Sequence, residues 1–254
     1  MTARKRFGQH FLRDPGVLRR IVEAIDPLRG DAIVEIGPGE GALTRPLLER
    51  VDRLSAIEID RDLAARLAAE FPPARLSLQC ADALAFDFSA FPDGVRIVGN
   101  LPYNISTPLL FHLAGFADRV RDMHFLLQKE VVDRMVAKPS TRAYGRLSVT
   151  LQVRFAMQKL FSVAPGAFRP PPKVDSALVR LVPLPGVAIP ENFAEVVRRA
   201  FSARRKTLRN ALPLQAADFR ALGIDPQLRP ENLSPADYVR IACRVNDVGA
   251  IASV

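Results

Sequence analysis

The sequence predicts an α/β domain with a mostly parallel sheet and an antiparallel hairpin at its edge, followed by a small all-helical domain. Short apolar strand patterns alternate five times with helical patterns over 32–136, which is typical of a parallel sheet covered by helices on both faces. Two further strand patterns, 155–163 and 176–182, follow each other without room for a covering helix, which predicts the hairpin. Beyond residue 191 only helical patterns remain, and these predict the second domain.

Local signals place the elements of the first domain. Asp14 and Pro15 provide an N-cap and a first-turn proline for one helix, and Asp60 caps another. Buried strands are predicted at 32–36, 54–59, 76–80, 95–99 and 123–128. Helices are predicted at 16–25, 42–50, 61–71, from 107 onward and at 129–136. The basic stretch between Lys138 and Arg146 is predicted to be a loop.

A proline-rich stretch separates the two predicted domains. Three prolines and a glycine between residues 183 and 190 interrupt any regular pattern and indicate a linker. We therefore place the sheet domain, with its basic N-terminal segment, at 1–186. The helical domain is placed at 187–254.

Composition narrows the class of protein. No apolar run approaches the roughly 20 residues of a membrane-spanning helix, and the basic N-terminus lacks an apolar signal core, so we expect a soluble, cytoplasmic protein without membrane contact. The two cysteines and three histidines lack close metal-ligand spacings, and we expect no metal. The net charge of +9 favours a polyanionic partner, with a basic surface that has no such partner as the alternative.

A glycine-rich turn and two acids predict a nucleoside site. Gly37, Gly39 and Gly41 follow the first strand of the sheet, where open α/β sheets bind ligands and a tight turn lets the backbone approach them. Glu58 ends the next strand, where a carboxylate can accept hydrogen bonds from both ribose hydroxyls. Asp82 follows the third strand and can accept one from an adenine amine. NAD and S-adenosylmethionine both carry ribose and adenine, so both stay open, and the glycine turn alone is also compatible with a connector that binds nothing.

The loop after the fourth strand predicts the chemistry. It consists of Asn100, Leu101, Pro102 and Tyr103, and the proline stiffens it and removes one backbone donor. The side-chain oxygen of Asn100 and the carbonyl of Leu101 can each accept one hydrogen of an adenine N6 amine, while Tyr103 stacks on the base. This favours methyl transfer to N6, with S-adenosylmethionine as donor. The alternative is a polar turn with a partly buried tyrosine.

Seven sequence blocks occur in a characteristic order over nearly the whole chain. They are FGQHFL at 7–12, VEIGPGEG at 34–41, EID at 58–60, NLPYNISTP at 100–108, QKE at 128–130, YGRLS at 144–148 and FRPPPKVDS at 168–176. These blocks resemble the ribosomal RNA adenine N6,N6-dimethyltransferase family, most closely its small-subunit (16S) branch. The resemblance implies a Rossmann-like S-adenosylmethionine methyltransferase sheet and a helical C-terminal domain that docks on the ribosomal subunit.

The resemblance also implies a substrate and site residues. The implied reaction is dimethylation of the N6 amine of two adjacent adenosines in a 3′-terminal hairpin of small-subunit rRNA, within a pre-ribosomal 30S particle, and we expect a monomer. The implied cofactor contacts are His10, Leu12, Gly37, Glu58, Ile59, Asp82, Ala83 and Asn100. Phe168 is implied as the ring that encloses the target base together with Tyr103.

Basic clusters predict the contacts with rRNA phosphates. The candidates are Arg4, Lys5 and Arg6 near the N-terminus, and Arg204, Arg205 and Lys206 in the helical domain. A basic run is also compatible with a solvated face that binds nothing.

Three other functions stay open as alternatives. A large-subunit rRNA adenine methyltransferase of the macrolide-resistance type shares the glycine turn and an asparagine-aromatic loop. A methyltransferase-derived ribosome-assembly or transcription factor acts mainly by binding nucleic acid, but intact Gly37, Glu58, Asp82 and Asn100 favour turnover. An NAD-dependent oxidoreductase is the most distant alternative.

Overall fold

The computed structural model describes residues 10–186 and 188–251, with side chains described through residue 245. The chain packs as two compact units. The first contains the described residues up to Val132 together with Ala156–Pro183, and the second contains Asp133–Phe155 and the described residues from Leu184 onward. The second unit therefore resumes close to the predicted boundary, but it also includes an internal segment that the sequence prediction assigned to 1–186.

The elements alternate along the first unit and are helical in the second. The strands are β1 Phe11–Leu12, β2 Ile33–Ile36, β3 Leu54–Glu58, β4 Leu76–Cys80, β5 Val95–Asn100, β6 Val120–Gln128, β7 Phe155–Val163, β8 Phe168–Arg169 and β9 Ser176–Pro183. The helices are α1 Pro15–Ile25, α2 Thr44–Leu48, α3 Arg61–Glu70, α4 Ser106–Ala114, α5 Lys129–Met135, α6 Arg146–Gln152, α7 Phe193–Ser202, α8 Leu208–Ala211, α9 Ala216–Leu222 and α10 Pro235–Ile251.

Seven strands form one sheet in the order β4, β3, β2, β5, β6, β9, β7. The pairs β3–β4, β2–β3, β2–β5 and β5–β6 are parallel. β9 runs antiparallel to β6, with Leu178 beside Leu126, and β7 forms the edge. The predicted mostly parallel sheet with an antiparallel edge is confirmed, and the central strands β2 and β5 are buried almost throughout.

The predicted helix caps of the first unit are confirmed. The Asp14 carboxylate accepts a hydrogen bond from the Val17 backbone N–H at 2.9 Å, at the start of α1. The Asp60 carboxylate accepts one from the Asp62 N–H at 2.9 Å, at the start of α3. An aspartate at the N-cap stabilises a helix because it binds a backbone donor that has no partner within the helix.

A second, two-stranded sheet lies outside the sequence prediction. β1 pairs antiparallel with β8, with Phe11 opposite Arg169 and Leu12 opposite Phe168. Each strand is two residues long, so no periodicity marks it in the sequence. The pairing fastens the N-terminal segment to the loop that precedes β9.

A buried ion-pair network fixes the start of β5. The Arg96 guanidinium donates to both carboxylate oxygens of Asp122, at 2.8 and 3.0 Å, and to Asp31 at 2.7 Å. It also donates to the carbonyl oxygens of Ile25 and Asp26 at the end of α1. Buried charges are tolerated when they are paired and hydrogen-bonded, so the network ties β5 to β6 and α1 at the end of β5 opposite Asn100.

The second unit has its own apolar core, which explains why the internal segment belongs to it. Tyr144 and Val149 are buried in one cluster with Phe193 and Val197. Helix α6 supplies part of this cluster. The sequence prediction assigned no helix there, because the apolar residues of α6 alternate rather than recur every three or four positions. No helix in the described part of the chain is long and apolar enough to cross a membrane.

Candidate active site

The carboxyl ends of β2, β3, β4 and β5 open into a cavity of about 280 Å³ in the first unit. This is the edge at which parallel α/β sheets bind ligands. Twelve of the residues predicted for the site line the cavity. They are His10, Leu12, Gly37, Gly39, Glu58, Ile59, Asp82, Ala83, Asn100, Leu101, Pro102 and Tyr103.

One end of the cavity is organised by Glu58. Its side chain is buried, and its two carboxylate oxygens accept hydrogen bonds from the backbone N–H groups of Gly39, at 3.0 Å, and Asp60, at 2.9 Å. Burial raises the pKa of Glu58, and the two N–H donors oppose that shift. Each carboxylate oxygen has a further lone pair, so the fixed carboxylate can accept hydrogen bonds from two hydroxyls of a ligand.

Asp82 and Ile59 complete this nucleoside end of the cavity. Asp82 is exposed, and one carboxylate oxygen accepts a hydrogen bond from the Leu84 N–H at 2.9 Å. Among the described residues its other oxygen has no hydrogen-bond partner, which leaves it able to accept from a ligand amine. Ile59 is 47% exposed although it is a large apolar residue. An exposed isoleucine beside a cavity is suited to contact a flat apolar surface such as that of a purine.

The backbone around the cavity approaches closely enough to form a cradle. A Cβ at Gly39, where φ is +59°, would lie 3.0 Å from the Phe11 ring. A Cβ at Gly99 would lie 2.5 Å from the Ile36 carbonyl oxygen, so no other residue fits where β5 ends beside β2. The close backbone at Gly39, the carboxylates of Glu58 and Asp82 and the exposed side chain of Ile59 fit the ribose, adenine and amino-acid groups of S-adenosylmethionine.

The opposite end of the cavity is the loop 100–103, which we call the catalytic loop after its predicted role. The Leu101 N–H donates to the Leu126 carbonyl at 3.2 Å, and the Pro102 carbonyl accepts from the Ile105 N–H and the Ser106 hydroxyl, at 3.2 and 3.0 Å. The loop is therefore fastened to β6 on one side and to the start of α4 on the other. This rigidity suits a loop that must orient a reacting group.

Asn100 is oriented by the N-terminal segment. Its side-chain nitrogen donates to the His10 backbone carbonyl at 2.9 Å. With the nitrogen occupied, the side-chain oxygen is the group left to accept a hydrogen bond from a ligand in the cavity. The His10 ring lies 5.4 Å from the Tyr103 ring, so one residue contacts both ends of the catalytic loop. The polar contact of His10 with a cofactor stays a prediction.

Glu35 and His124 also line the cavity, and the sequence did not mark either as a site residue. Glu35 on β2 is buried and accepts a hydrogen bond from the Thr44 hydroxyl at 2.7 Å. Burial raises the pKa of this carboxyl to about 7. Burial lowers the pKa of His124 to about 4, so its ring is neutral at physiological pH. Glu35 lies inside the VEIGPGEG block, but an acid within an apolar strand gives no sign of which way it faces.

Two residues predicted for the site lie outside the cavity lining. Gly41 does not line the cavity, and a Cβ there would lie 2.7 Å from the Leu67 side chain, so this glycine allows α3 to pack closely. Phe168 is only 4% exposed and lies in the apolar core with Leu12 and Leu178. It does not line the cavity, because its pairing with β1 directs the ring into the core. The stacking of Phe168 on a target base stays a prediction.

The predicted basic contacts differ from one another. Arg4, Lys5 and Arg6 lie outside the described residues. Arg204 is paired with Glu231 at 2.6 Å and also donates to the Arg142 carbonyl at 2.9 Å. Arg205 and Lys206 are exposed, and in the described part of the chain neither takes part in an ion pair.

Within the described residues there is no group of three or more histidine, cysteine, aspartate or glutamate side chains that can hold a metal ion. The polar groups at the cavity include carboxylates bound to backbone N–H groups, an amide and a neutral histidine. Such groups accept and donate hydrogen bonds to organic ligands.

Comparison with known proteins agrees with this geometry. Ribosomal RNA small subunit methyltransferase A of Thiobacillus denitrificans is 61% identical over 246 residues, which cover 94% of this chain and 96% of the relative. The protein of the same name from Laribacter hongkongensis is 58% identical over 254 residues, 97% of each chain.

Two solved structures share this fold over almost the whole chain. A dimethyladenosine transferase from Plasmodium falciparum has a TM-score of 0.83 at 26% identity, over 94% of this chain and 98% of that chain. The 23S rRNA methyltransferase ErmE has a TM-score of 0.71 at 25% identity, over 93% and 99% of the two chains. The model of the family described as ribosomal RNA adenine dimethylase matches residues 1–247, and the chain belongs to this family.

Proposed function

We propose that this chain is an S-adenosylmethionine-dependent methyltransferase that dimethylates the N6 amine of adenosines in small-subunit rRNA. The observation that carries the proposal is the orientation of Asn100, whose nitrogen is held by the His10 carbonyl while its oxygen remains available at the cavity. An amide oxygen in that place accepts a hydrogen bond from an exocyclic amine. The family and the names of the relatives support the same reading.

The nucleoside end of the cavity is the proposed cofactor site. Glu58 binds the ribose hydroxyls, and Asp82 accepts from the adenine amine, with Ile59 and Ala83 beside the adenine ring. Leu12, Gly37 and Gly39 contact the remainder through apolar and backbone surfaces. When bound, S-adenosylmethionine supplies an electrophilic methyl group. A carboxylate whose orientation is already fixed by Gly39 and Asp60 loses little freedom on binding.

The catalytic loop binds and orients the target amine. An adenine amine is a weak nucleophile because its lone pair is delocalised into the ring. Hydrogen bonds from N6 to the Asn100 oxygen and the Leu101 carbonyl favour the pyramidal geometry in which the lone pair is available, and Tyr103 stacks on the base. After each transfer N6 releases a proton to water, since the methylated amine is acidic enough to need no strong base. The second transfer requires the same loop to hold a monomethylated amine.

The finer substrate assignment is part of the proposal. We place the two adjacent adenosines in a 3′-terminal hairpin of small-subunit rRNA within a pre-ribosomal 30S particle, because unpaired loop bases are extruded at a lower energetic cost than paired ones. We also propose that the enzyme is monomeric and that it acts in the cytoplasm, where ribosomes are assembled. The likeness to ErmE favours large-subunit rRNA as the second candidate substrate.

One assay tests the substrate. Labelled S-adenosylmethionine is incubated with unmethylated small subunits, and the digested rRNA is analysed for N6,N6-dimethyladenosine. Large subunits from the same cells provide the matched control. We expect label in small-subunit rRNA as the dimethylated nucleoside. Label confined to large-subunit rRNA would support the ErmE-like function instead.

The helical unit contributes phosphate contacts in this proposal, and its neighbouring arginines test them. Arg205→Ala is expected to weaken binding to small subunits a few-fold and to lower the slope of log affinity against log salt by about one. Arg204→Ala is the matched control, because Arg204 is already paired with Glu231. It is expected to leave the salt slope unchanged. Equal slopes for both variants and the wild type would exclude Arg205 as a phosphate contact.

A further inference from the structure

We propose that Ser176 is a positioning residue that fixes the ring of Tyr103 before the target base arrives, with the His10 ring supporting the same tyrosine. The proposal rests on the proposed methyltransferase function. It assigns a role to a serine that does not itself line the cavity, and it assigns the Tyr103 hydroxyl to anchoring rather than to contact with the substrate.

Ser176 is a rigid point of attachment. It is fully buried and is the first residue of β9, where it pairs with Gln128 of β6. The adjacent Asp175 carbonyl accepts a hydrogen bond from the Lys129 N–H at 2.9 Å. The serine hydroxyl therefore has little freedom, because the backbone on both sides of it is fastened to the sheet.

The Tyr103 ring is held at its tip and beside one face. Its hydroxyl and the Ser176 hydroxyl share a hydrogen bond of 2.7 Å. The His10 ring lies 5.4 Å from the tyrosine ring, tilted by 33°, and a ring nitrogen of His10 lies 2.8 Å from the Pro170 carbonyl oxygen. The hydrogen bond to Ser176 and the ring contact with His10 thus join Tyr103 to residues far away in the sequence.

The spacing of these rings determines where a base can bind. A base between two rings needs roughly two contact distances of ~3.5 Å, or ~7 Å in all, and 5.4 Å is less than that. The target base therefore does not bind between these two rings. Stacking on Tyr103 therefore depends on how well its ring is oriented.

Fixing the Tyr103 ring before the base arrives lowers the entropic cost of binding the base. An unanchored tyrosine would occupy several rotamers and would lose that freedom when the base stacks. The Ser176 hydrogen bond removes part of this freedom in the free enzyme. Its loss is therefore expected to slow transfer without altering the cofactor site at the other end of the cavity.

A double-mutant cycle tests the proposal. Tyr103→Phe and Ser176→Ala each remove the same hydrogen bond, so each is expected to lower kcat/KM on unmethylated small subunits about 3- to 10-fold. The double variant is expected to match the single variants, because the second change removes nothing further. Ser106→Ala is the matched control. It removes a hydrogen bond of the same loop that does not involve Tyr103, and its effect is expected to multiply with that of Tyr103→Phe.

A binding measurement separates positioning from general loss of structure. The fluorescence of 2-aminopurine, placed at the target position of an RNA hairpin, reports stacking in the presence of S-adenosylhomocysteine, and thermal unfolding reports folding. We expect weaker quenching in both single variants at an unchanged affinity for S-adenosylhomocysteine. If Ser176→Ala fails to fold, Tyr103→Phe and His10→Ala still test the claim, because each is expected to weaken quenching.

Specific outcomes would overturn the proposal. They are multiplicative effects of Tyr103→Phe and Ser176→Ala, full activity and quenching in Tyr103→Phe, or a far larger loss in Tyr103→Phe than in Ser176→Ala. The last would show that the hydroxyl contacts substrate. A wild-type enzyme that transfers no methyl group to small subunits would instead contradict the proposed function.

Discussion

The two ends of the cavity are built in different ways. At the nucleoside end, Glu58 is held by backbone N–H groups within 19 residues of it, at Gly39 and Asp60. At the catalytic loop, Asn100 is held by His10, 90 residues away, and Tyr103 by Ser176, 73 residues away. The first end is a local product of a strand, a turn and a helix. The second depends on contacts between segments that are far apart in the sequence.

This difference has a functional meaning. A ligand that always enters in the same form can be bound by groups that local backbone geometry fixes. The target amine arrives on a large RNA, and it must be accepted first unmethylated and then monomethylated. Its site is therefore held by contacts from three separate segments, which lock the loop while leaving the acceptor atoms free. The two ends should respond differently to substitution.

The largest effect is expected at the catalytic loop. Asn100→Ala removes the amide oxygen that we propose orients the N6 amine, and losing one such preorganised group typically lowers kcat about 10²- to 10³-fold. Single-turnover transfer to small subunits measures this effect. Calorimetry with S-adenosylmethionine provides the control, because the nucleoside end is intact and the affinity should change less than tenfold. Normal transfer by the variant would contradict the proposed mechanism.

The same difference explains what could be predicted from the sequence. Glu58 and Asp82 were predictable because each ends a strand, and the chain order of parallel strands brings such ends to one edge. The partner of Tyr103 was not, because Ser176 meets it only through the pairing of β9 with β6.

Errors in the prediction have the same origin. Phe168 stands in a proline-rich loop that indicates an exposed ring, but a two-residue pairing with β1 buries it. Helix α6 has alternating apolar residues and is stabilised by packing in the helical unit rather than by its own pattern. Local patterns specify the elements and the strand ends, whereas contacts between distant segments decide which side chains they hold.

Glu35 lies on β2, between the strands that carry the two ends, and it is expected to make stability depend on pH. Burial raises its pKa to about 7, from 4.5, so the folded protein binds a proton more tightly than the unfolded chain does. This stability is present below pH 4.5 and is lost as the pH rises through 7. The difference corresponds to about 3 kcal/mol.

Glu35→Gln removes this dependence. We expect the difference in the free energy of unfolding between the variant and the wild type to grow by about 3 kcal/mol from pH 4.5 to pH 9, in favour of the variant. Urea unfolding at each pH measures this difference. Thr44→Val is the matched control. The Thr44 hydroxyl lowers the pKa of Glu35, so its removal should raise the pH at which this stability is lost. A constant difference between Glu35→Gln and the wild type across this range would exclude a raised pKa.

The smallest effect is expected at the nucleoside end, where it should appear in binding rather than in rate. Glu58→Gln replaces a charged acceptor by an amide, and its NH₂ group faces a backbone donor of Gly39 or Asp60. Hydrogen bonds to charged groups contribute about 1.5–3 kcal/mol, so the Kd for S-adenosylmethionine should rise about 10- to 100-fold. Transfer at saturating cofactor should stay close to that of the wild type, in contrast to Asn100→Ala. The charge of Glu58 also raises the pKa of Glu35, so the same variant should shift the pH window of stability downward. A fall in kcat with an unchanged Kd would show that the two ends act as one site.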